Sequence, residues 1–583
     1  MTRLTVALVA LGLIANGAAA YEVETHSAVS AEAAERSIIT SYLSEHLGIS
    51  STQKLDVGSR TYEGNDGSPA GWIQEGSVRE DDKWPPLPPP QYLRPANHFY
   101  NPLTQSGYTG WWPPFPVVFG VPSVDWGLDS AGNDYSWSLA RQHLYNGLTL
   151  ENKSAREREL ALTFRCVGQV IHLVEDLAQP QHTRNDSHIA GSLYEKYTAD
   201  HLVDTILNQL PSYGPVYPEE NGTSFYGARD FWHSPTGKGL ADYSNRGFVS
   251  AGTNFDALPQ QQPLTEYAIF PHQGFPFPNG QDAVVWSAGI EDLWSTESGV
   301  PPPAGLTGEI DFVSTPVQDV YRPEQSERND FTSTYSVFDP DLEKDGQPLT
   351  FTLNRYSFEA AWRLLIPRAV GYSAGLLNYF FRGAFSVHVT NAEMGQYAVR
   401  NDTAEPMNGT LGIYYDDAKG NRLHIADRQI TLGPAGRPDN IQPFQFTAAA
   451  SDTCIRGPYQ GVFRGQLGLE ADAVIPAAGA VSPAVAGPTV YVAGDLSGGG
   501  PSDPQGNLVW YSWYGACYQN GGFQCPIWLS WPWEGSYSGE YLNAPGWEGL
   551  FFFPCDYCCL GLGVTDSCNR SGYGEACHSL HSP

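Results

Sequence analysis

The sequence predicts a mainly α-helical domain, followed by a β-sandwich-like domain and a tail rich in cysteine and aromatic residues. Apolar residues recur at helical spacing before Gly383, and alternating segments typical of strands follow it. A Gly-rich run near residue 497 then opens a region crowded with Trp, Tyr, Phe and Cys. The chain has 583 residues, of which 41% are hydrophobic, and is therefore long enough for two or three cores.

The first 20 residues have the pattern of a secretory signal. Arg3 supplies a positive end, Leu4 to Ile14 is a short apolar run, and Ala18 to Ala20 form a small-residue cleavage site. The apolar run is too short to span a bilayer. We therefore expect a mature protein that begins at Tyr21 and is secreted, to the extracellular space or the periplasm.

The chain is strongly acidic. It carries 32 Lys and Arg residues against 63 Asp and Glu residues, a formal net charge of -31. Such a surface repels polyanions, so we expect no stable complex with nucleic acid. The charge leaves room for a metal site that holds one phosphate group locally. The sequence does not indicate the oligomeric state.

The first domain is predicted to cover residues 21–384. A helix over 31–47 should end at Gly48, and residues 50–135 are predicted to be irregular because they are polar and rich in proline. A long helix is expected from about 155 to 178. It would begin at the capping box Ser154–Glu157 and stop at Pro180.

Two further helices are predicted in this domain. One starts near Tyr194, and the other covers about 358–382, with a kink at Pro367 and its end at Gly383. Cys166, within the long helix, is expected to be a buried free thiol.

Residues 385–495 are predicted to form the β-sandwich-like domain and residues 496–583 the Cys- and aromatic-rich region. The aromatic residues of that region would form either a glycan- or lipid-binding surface or a disulfide-stapled core. In an exported protein up to four disulfides are expected among eight cysteines. These are Cys454, Cys517, Cys525, Cys555, Cys558, Cys559, Cys568 and Cys577. A small zinc knuckle formed by Cys555, Cys558, Cys568 and Cys577 is the alternative.

The segment from His172 to His182 carries the most informative motif. His172 and Asp176 are four residues apart on a predicted helix, so both side chains leave the same face. Pro180 turns the chain, and His182 can return to the same point. Imidazole and carboxylate groups are ligands that zinc prefers. A surface helix would explain His172 and Asp176 alone, but the added His182 favours a metal site.

This arrangement resembles that of the zinc-dependent phospholipases C and the related fungal zinc-dependent single-strand nucleases. They carry His-x3-Asp-x5-His with Gln-Pro before the last His, as His172, Asp176, Gln179-Pro180 and His182 do here. The resemblance implies a helical catalytic domain of the phospholipase C/nuclease type. It also implies that Asp176 bridges two zinc ions, that His172 binds one of the pair, and that His182 binds a further zinc.

Other segments extend the resemblance. The segment around His98 looks like a family segment whose His binds zinc, and an upstream acid is a family ligand and candidate base. Asp81 is chosen for that acid over its neighbours Glu80 and Asp82. The segment around Glu195 resembles a helix whose Glu holds the outlying zinc, and residues 372–377 resemble the family's closing helix.

The N-terminus supplies two more implied ligands. The family's mature chain begins with Trp, whose amine and carbonyl bind zinc; Tyr21 would take that place, and His26 matches a ligand of the nuclease branch. One family His is replaced by Gly191. His188 or His201 could serve instead, and His188 is preferred.

The resemblance implies two to three zinc ions, with Asp81 and Asp176 as catalytic residues. The preferred function is a secreted phospholipase C that cleaves the glycerol-phosphate ester of phospholipids, with a phospholipid or other phosphodiester as substrate and a peripheral lipid surface as partner. A zinc-dependent single-strand nuclease or nucleotidase is the first alternative. The second alternative is a non-catalytic exported adhesive or binding protein whose metal site serves structure.

Overall fold

The computed structural model describes residues 23–55, 65–82, 91–112, 115–129, 131–186, 188, 192–201, 214–218, 227–248, 250, 284–289, 308–318, 326–334, 355–391, 396–417, 420–445, 459–478, 490–497, 509–519, 522–533, 542–543 and 549–553. The predicted signal segment, Tyr21 and Gly191 lie outside these ranges. Within them, no helix is both long and apolar enough to cross a membrane.

The chain divides into two compact units. The first combines Met1–Leu148, Ser154–Arg382 and Gly468–Asp472, and the second combines Thr149–Lys153, Gly383–Leu467 and Ala473–Pro583. A helical region and a later region of antiparallel strands are therefore both present, in the order that the sequence predicts. The finer division at residues 384 and 495 stays a prediction.

The first helical segment is divided. Helix α1 (Val23–Arg36) is followed by the short α2 (Ile39–Tyr42) and a π-helical turn (Leu43–Leu47). Gly48 ends the segment at a φ of 63°, a left-handed conformation that glycine adopts without steric cost. The predicted end is confirmed, but the prediction of one helix over 31–47 is wrong.

Helix α3 (Pro69–Glu80) contradicts the prediction that residues 50–135 are irregular. The Ser68 hydroxyl accepts a hydrogen bond from the backbone N–H of Gly71 at 3.0 Å, and Pro69 takes the first helical position. The same stretch also contains a 3-10 helix (Gln91–Asn97), the hairpin β1 (Thr109–Trp112) and β2 (Phe115–Phe119), and helix α4 (Ser123–Asp129).

The long helix predicted for 155–178 is confirmed. After α5 (Trp137–Thr149), helix α6 runs over Lys153–Glu175, and a 3-10 turn (Asp176–Ala178) and the short α7 (Pro180–Thr183) follow. Ser154 lies inside α6 and not at its cap. Every residue from 166 to 180 is buried, so this part of the segment is surrounded by the core. Cys166 is a buried free thiol as predicted, and burial raises its pKa.

The other predicted helices are also present. Helix α8 (Leu193–His201) lies at the predicted start near Tyr194, and α10 (Arg355–Phe380) contains Pro367. Three elements have no counterpart among the predicted ones: a 3-10 helix (Ala228–Phe231), helix α9 (Leu240–Gly247) and a sheet of order β3-β4-β5. The strands of this sheet are β3 (Val284–Gly289), β4 (Glu309–Gln318) and β5 (Ser326–Thr334).

Two sheets whose residues lie mostly in the second unit share one core. The first, of order β10-β7-β6, contains β6 (Phe385–Asn391), β7 (Gln396–Asn401) and β10 (Ile441–Gln445). The other, of order β12-β11-β8-β9, contains β8 (Met407–Asp416), β9 (Arg422–Leu432), β11 (Tyr459–Leu467) and β12 (Glu470–Pro476). Side chains of both sheets, including Phe385 and Phe463, form a single buried cluster.

A third sheet of the second unit has the order β15-β14-β13-β17-β16. Its strand β13 crosses the predicted boundary between residues 495 and 496. Cys517 on β14 and Cys525 on β15 are register partners, whereas the other six candidate disulfide cysteines lie outside the described residues. The predicted disulfides stay a prediction. The strands are β13 (Val490–Ser497), β14 (Val509–Gln519), β15 (Gly522–Trp533), β16 (Leu542–Asn543) and β17 (Gly549–Phe553).

Two glycines let helices α3 and α6 lie in backbone contact. A Cβ atom at Gly76 would lie 2.0 Å from the carbonyl oxygen of Arg165, and one at Gly168 would lie 2.1 Å from the carbonyl oxygen of Ile73. A helix backbone cannot move aside as a side chain can. The contact therefore sets the spacing between the end of α3, where Asp81 follows, and His172, about one turn beyond Gly168.

Gly168→Ala is expected to lower the free energy of unfolding by about 1–3 kcal/mol, because the added methyl group collides with backbone. Gly147→Ala in α5 is the control, since a Cβ atom there meets mainly the side chain of Leu160, which can rotate. Urea unfolding of both variants measures the difference. Equal stability of Gly168→Ala and the parent chain would contradict the backbone contact.

Candidate metal centre

Ligand-type side chains meet in three buried groups in the first unit. Within each group, one nitrogen or oxygen atom of every residue lies within 4.8 Å of the others. All of these side chains were candidate ligands in the sequence. The groups are His26–Asp81–His172, His98–His172–Asp176 and His182–His188–Glu195.

Asp176 lies where the groups converge. Its Oδ1 atom is 3.4 Å from His26 Nε2, and its Oδ2 atom is 2.9 Å from His98 Nδ1 and 3.2 Å from His172 Nε2. The two oxygens of one carboxylate thus face different imidazoles. A carboxylate placed in this way can bind two neighbouring cations at once.

The backbone of α3 fixes the orientation of His172. Its Nδ1 atom lies 2.7 Å from the carbonyl oxygen of Ser77, which can only accept a hydrogen bond. Nδ1 therefore carries the proton, and Nε2 has a lone pair directed into the cluster. Since His172 offers one ligand nitrogen only and belongs to both of the first two groups, these groups are best described as one pool of candidate ligands. The pool contains His26, Asp81, His98, His172 and Asp176.

Glu175 holds His26 and was missed in the sequence analysis. Its Oε2 atom lies 2.7 Å from His26 Nδ1 and accepts a hydrogen bond from the Ser77 hydroxyl at 3.0 Å, while Oε1 accepts one from Ser30 at 2.7 Å. All four side chains are buried. A carboxylate that accepts the Nδ1 proton of a histidine directs its Nε2 atom to a metal and makes it more basic.

The third group is compact. His188 Nε2 lies 3.2 Å from His182 Nε2 and 3.0 Å from Glu195 Oε1. Gln179 donates to the same Glu195 oxygen at 2.7 Å. The structure thus places His188 with His182 and Glu195, whereas His201 lies apart, with its Nδ1 atom 2.7 Å from the Tyr197 carbonyl oxygen.

Among the three neighbouring acids, only Asp81 belongs to the cluster. Glu80 is buried but accepts hydrogen bonds from Arg94 at 2.6 Å and from Trp126 at 2.8 Å. Asp82 pairs with Arg79 at the end of α3. Glu80 and Asp82 thus already have partners, although Glu80 Oε1 also lies 3.8 Å from His98 Nε2. Asp81 accepts no hydrogen bond within the described residues, and its Oδ1 atom lies 3.8 Å from His98 Nδ1 and 3.9 Å from His172 Nε2.

The cluster has the donor atoms that a metal ion needs. Both carboxylate oxygens of Asp81 and of Asp176, together with His98 Nε2, are buried and make no hydrogen bond within the described part of the chain. Buried carboxylates that accept no hydrogen bond are costly, and a cation among them lowers that cost. The set of His nitrogens and Asp and Glu oxygens suits zinc. These residues therefore fit the implied metal.

Protonation in the metal-free chain follows from the same charges. Although burial opposes it, Asp176 and Glu175 raise the pKa of His26 to about 10. Burial is also the largest influence on His182, and with the His188 and His98 imidazoles it holds the pKa of His182 well below its usual value. His182 is therefore neutral at pH 7, whereas metal binding by His26 has to release a proton.

The predicted site residues can now be located. Eight of the nine predicted metal ligands are described, and all eight belong to the three groups. Tyr21, the ninth, lies outside the described residues, two positions before α1. Spacing along the chain could not have identified Glu175 as a partner of His26, because 149 residues separate them.

Comparisons with known proteins add little to this geometry. No family model matches the chain, and no curated protein matches its sequence. The alpha toxin from Clostridium absonum is similar at 13% identity over 76% of this chain and 87% of that one, with a TM-score of 0.22. An alpha-toxin of Clostridium perfringens, from avian strain SWCP, is similar at 10% identity over 88% and 98%, also with a TM-score of 0.22. Similarity this weak carries no argument about the activity of the chain.

Glu175→Gln is expected to weaken metal affinity by roughly 10- to 100-fold, because the amide no longer offers a charged acceptor to His26. Glu159→Gln is a matched control on the same helix, since Glu159 Oε2 also lies 2.7 Å from a histidine nitrogen, His143 Nδ1, outside the cluster. Zinc titration by calorimetry gives both affinities. An unchanged affinity in Glu175→Gln, or an equal loss in Glu159→Gln, would show that Glu175 does not support the centre.

Proposed function

We propose that this protein is a secreted zinc-dependent phosphodiester hydrolase of the phospholipase C type. One observation carries the proposal: three buried groups of His, Asp and Glu converge, and the Asp81 and Asp176 oxygens among them lack hydrogen-bond partners in the described residues. Centres with several metal ions recur in enzymes that cleave phosphate esters. The motif from His172 to His182 favours the same chemistry.

Together with Tyr21, the described ligand candidates would suffice for three ions. Asp81, His98 and His172 would hold one, His26 would help to hold its neighbour, and Asp176 would lie between the two. His182, His188 and Glu195 would hold the third. Bound zinc supplies Lewis acidity, which withdraws charge from phosphoryl oxygens and makes water a stronger acid.

The protein's own groups then have distinct roles. Asp81 is the candidate base, because its oxygens face the cluster and have no hydrogen-bond partner in the described residues. Glu175 and the Ser77 carbonyl hold His26 and His172 in fixed orientations, so little reorganisation accompanies the reaction. The burial of the cluster limits the access of bulk water, which strengthens these electrostatic interactions.

A phospholipid is the preferred substrate, and the bond cleaved would be the glycerol-phosphate ester. The segments around His98 and Glu195 support this preference. The net charge of -31 supports it as well, because an acidic surface disfavours an extended polyanion. A single-strand nuclease or nucleotidase is the second candidate, favoured by His26, which lies in the cluster and matches a ligand of the nuclease branch.

The zinc-loaded protein is expected to hydrolyse phosphatidylcholine and a soluble choline-phosphate ester faster than single-stranded DNA or RNA. Zinc content is measured on the same preparation. Faster release of nucleotides would favour the nuclease. A fully metallated protein that hydrolyses none of these substrates would favour the non-catalytic alternative.

Asp176→Asn should lose at least one zinc and most turnover, because the amide cannot neutralise two cations. Full zinc content and full turnover in this variant would show that the site is misassigned.

Tyr21 is proposed to complete the site once the signal is removed. An α-amine can bind zinc when deprotonated, and its ordinary pKa of about 7.7–8.0 makes that feasible, whereas a peptide nitrogen has no free lone pair. A chain with one extra residue before Tyr21 is therefore expected to bind one zinc fewer and to turn over at least about tenfold more slowly, a barrier change of about 1.4 kcal/mol. Zinc analysis and kinetics on both folded forms make the comparison. Identical results would remove Tyr21 from the ligand set.

A further inference from the structure

The hairpin β1-β2 belongs to a stretch without charge. From Phe99 to Val124 the sequence contains no Asp, Glu, Lys or Arg, although the whole chain has 95 of these residues, 32 basic and 63 acidic. The stretch is also rich in aromatic residues, with Trp111 and Trp112 next to each other. Solubility favours charged residues at a protein surface, so it does not explain why this acidic chain contains an uncharged segment of 26 residues.

The outer face of the hairpin is apolar and exposed. Val118 on β2 is buried, whereas its neighbours Val117 and Phe119 are 51% and 77% exposed, as expected for side chains that alternate between the two faces of a strand. A sheet with one face in water normally presents polar residues on that face. Leu103 and Val121 nearby are 49% and 37% exposed. Four of the nine exposed large apolar side chains among the described residues thus fall between positions 103 and 121.

The inner face of the same hairpin packs next to the metal centre. Val118 shares a buried cluster with Ala96, Phe99 and Tyr108. The Phe99 ring stacks on the His182 ring, with centroids 4.5 Å apart and an interplanar angle of 6°. Two side chains therefore separate the exposed face of β2 from a candidate ligand.

The chain that follows His182 holds the first strand of the hairpin. Asn185, at a φ of 53°, accepts a hydrogen bond from the Thr109 N–H at 2.8 Å and donates one to the Thr109 carbonyl at 3.0 Å. The Tyr100 N–H also donates to the His182 carbonyl at 2.9 Å. The hairpin is thus fixed to the centre by hydrogen bonds as well as by packing.

We propose that the outer face of this hairpin, formed by Val117 and Phe119 and flanked in the sequence by exposed Val121 and Leu103, docks on a zwitterionic lipid surface and brings the candidate metal centre to it. Lack of charge suits the interface of a zwitterionic bilayer, where apolar and aromatic side chains are favoured. The acidic remainder of the chain disfavours an anionic bilayer. The role of docking in lipid hydrolysis rests on the proposed function, whereas docking itself does not.

Vesicle binding tests the proposal with the zinc-loaded full chain. The signal is the initial energy transfer from tryptophan to a dansyl lipid in phosphatidylcholine vesicles, recorded within seconds of mixing so that hydrolysis is negligible. Val117→Ser/Phe119→Ser is expected to weaken binding at least about tenfold, because two exposed apolar side chains are lost. Val117→Trp should strengthen it. Ile441→Ser/Leu469→Ser, at positions 51% and 62% exposed elsewhere, is the matched control and should change binding less than about twofold.

The possible outcomes separate docking from catalysis. Normal vesicle binding by folded Val117→Ser/Phe119→Ser, an equal loss in the control, or no binding by the parent chain would overturn the docking proposal. Self-association of the parent chain that this double variant abolishes would assign the face to a second copy and overturn it too. If binding depends on the hairpin but neither phosphatidylcholine nor the soluble choline-phosphate ester is hydrolysed, docking stands and the proposed function fails.

Discussion

The burial of negative charge is the constraint on which the rest of the helical unit depends. Asp81, Asp176, Glu175 and Glu195 lie among apolar helices and have little access to water. Isolated carboxylates in such surroundings cost far more free energy than a folded domain of this kind has to spare. Of these four, Glu175 and Glu195 alone accept hydrogen bonds from hydroxyl or amide groups of the described residues. The fold surrounds Asp81 and Asp176 with imidazoles, and either protonated imidazoles or a bound cation can compensate these charges.

Close backbone contact between helices α3 and α6 brings the groups that compensate the buried carboxylates together. Since Gly76 and Gly168 allow α3 and α6 to touch, the Ser77 carbonyl reaches His172, and Asp81 follows directly from the end of α3. One helix end thus supplies both a ligand and the group that orients another ligand. The break after α6, where Pro180 starts a new short helix, returns His182 to the same cluster. The same three helices, α3, α6 and α7, thus position these candidate ligands and compensate their charges.

The sequence predicts those features that depend on short-range patterns. The long helix, the stop at Pro180 and the ligand types within the segment from His172 to His182 all follow from spacing, because three or four residues decide them. The prediction of irregular structure over residues 50–135 is wrong because proline at the first helical position, as in Ser68-Pro69, favours a helix start and does not break the helix. The pairing of Glu175 with His26, and the sheet β3-β4-β5, depend on contacts between distant parts of the chain, which no local pattern encodes.

The shared pool of ligands has a thermodynamic consequence for occupancy. His172 has one available nitrogen, and Asp176 faces imidazoles on both sides, so filling one position of the pool changes the ligands left for the other. The affinities for two ions bound there would therefore be linked, and the linkage would be reciprocal by thermodynamic necessity. His182, His188 and Glu195 share no residue with the pool. A centre that binds metal in this way would contain one linked pair and one further position, and partial occupancy would correspond to a defined mixture of species.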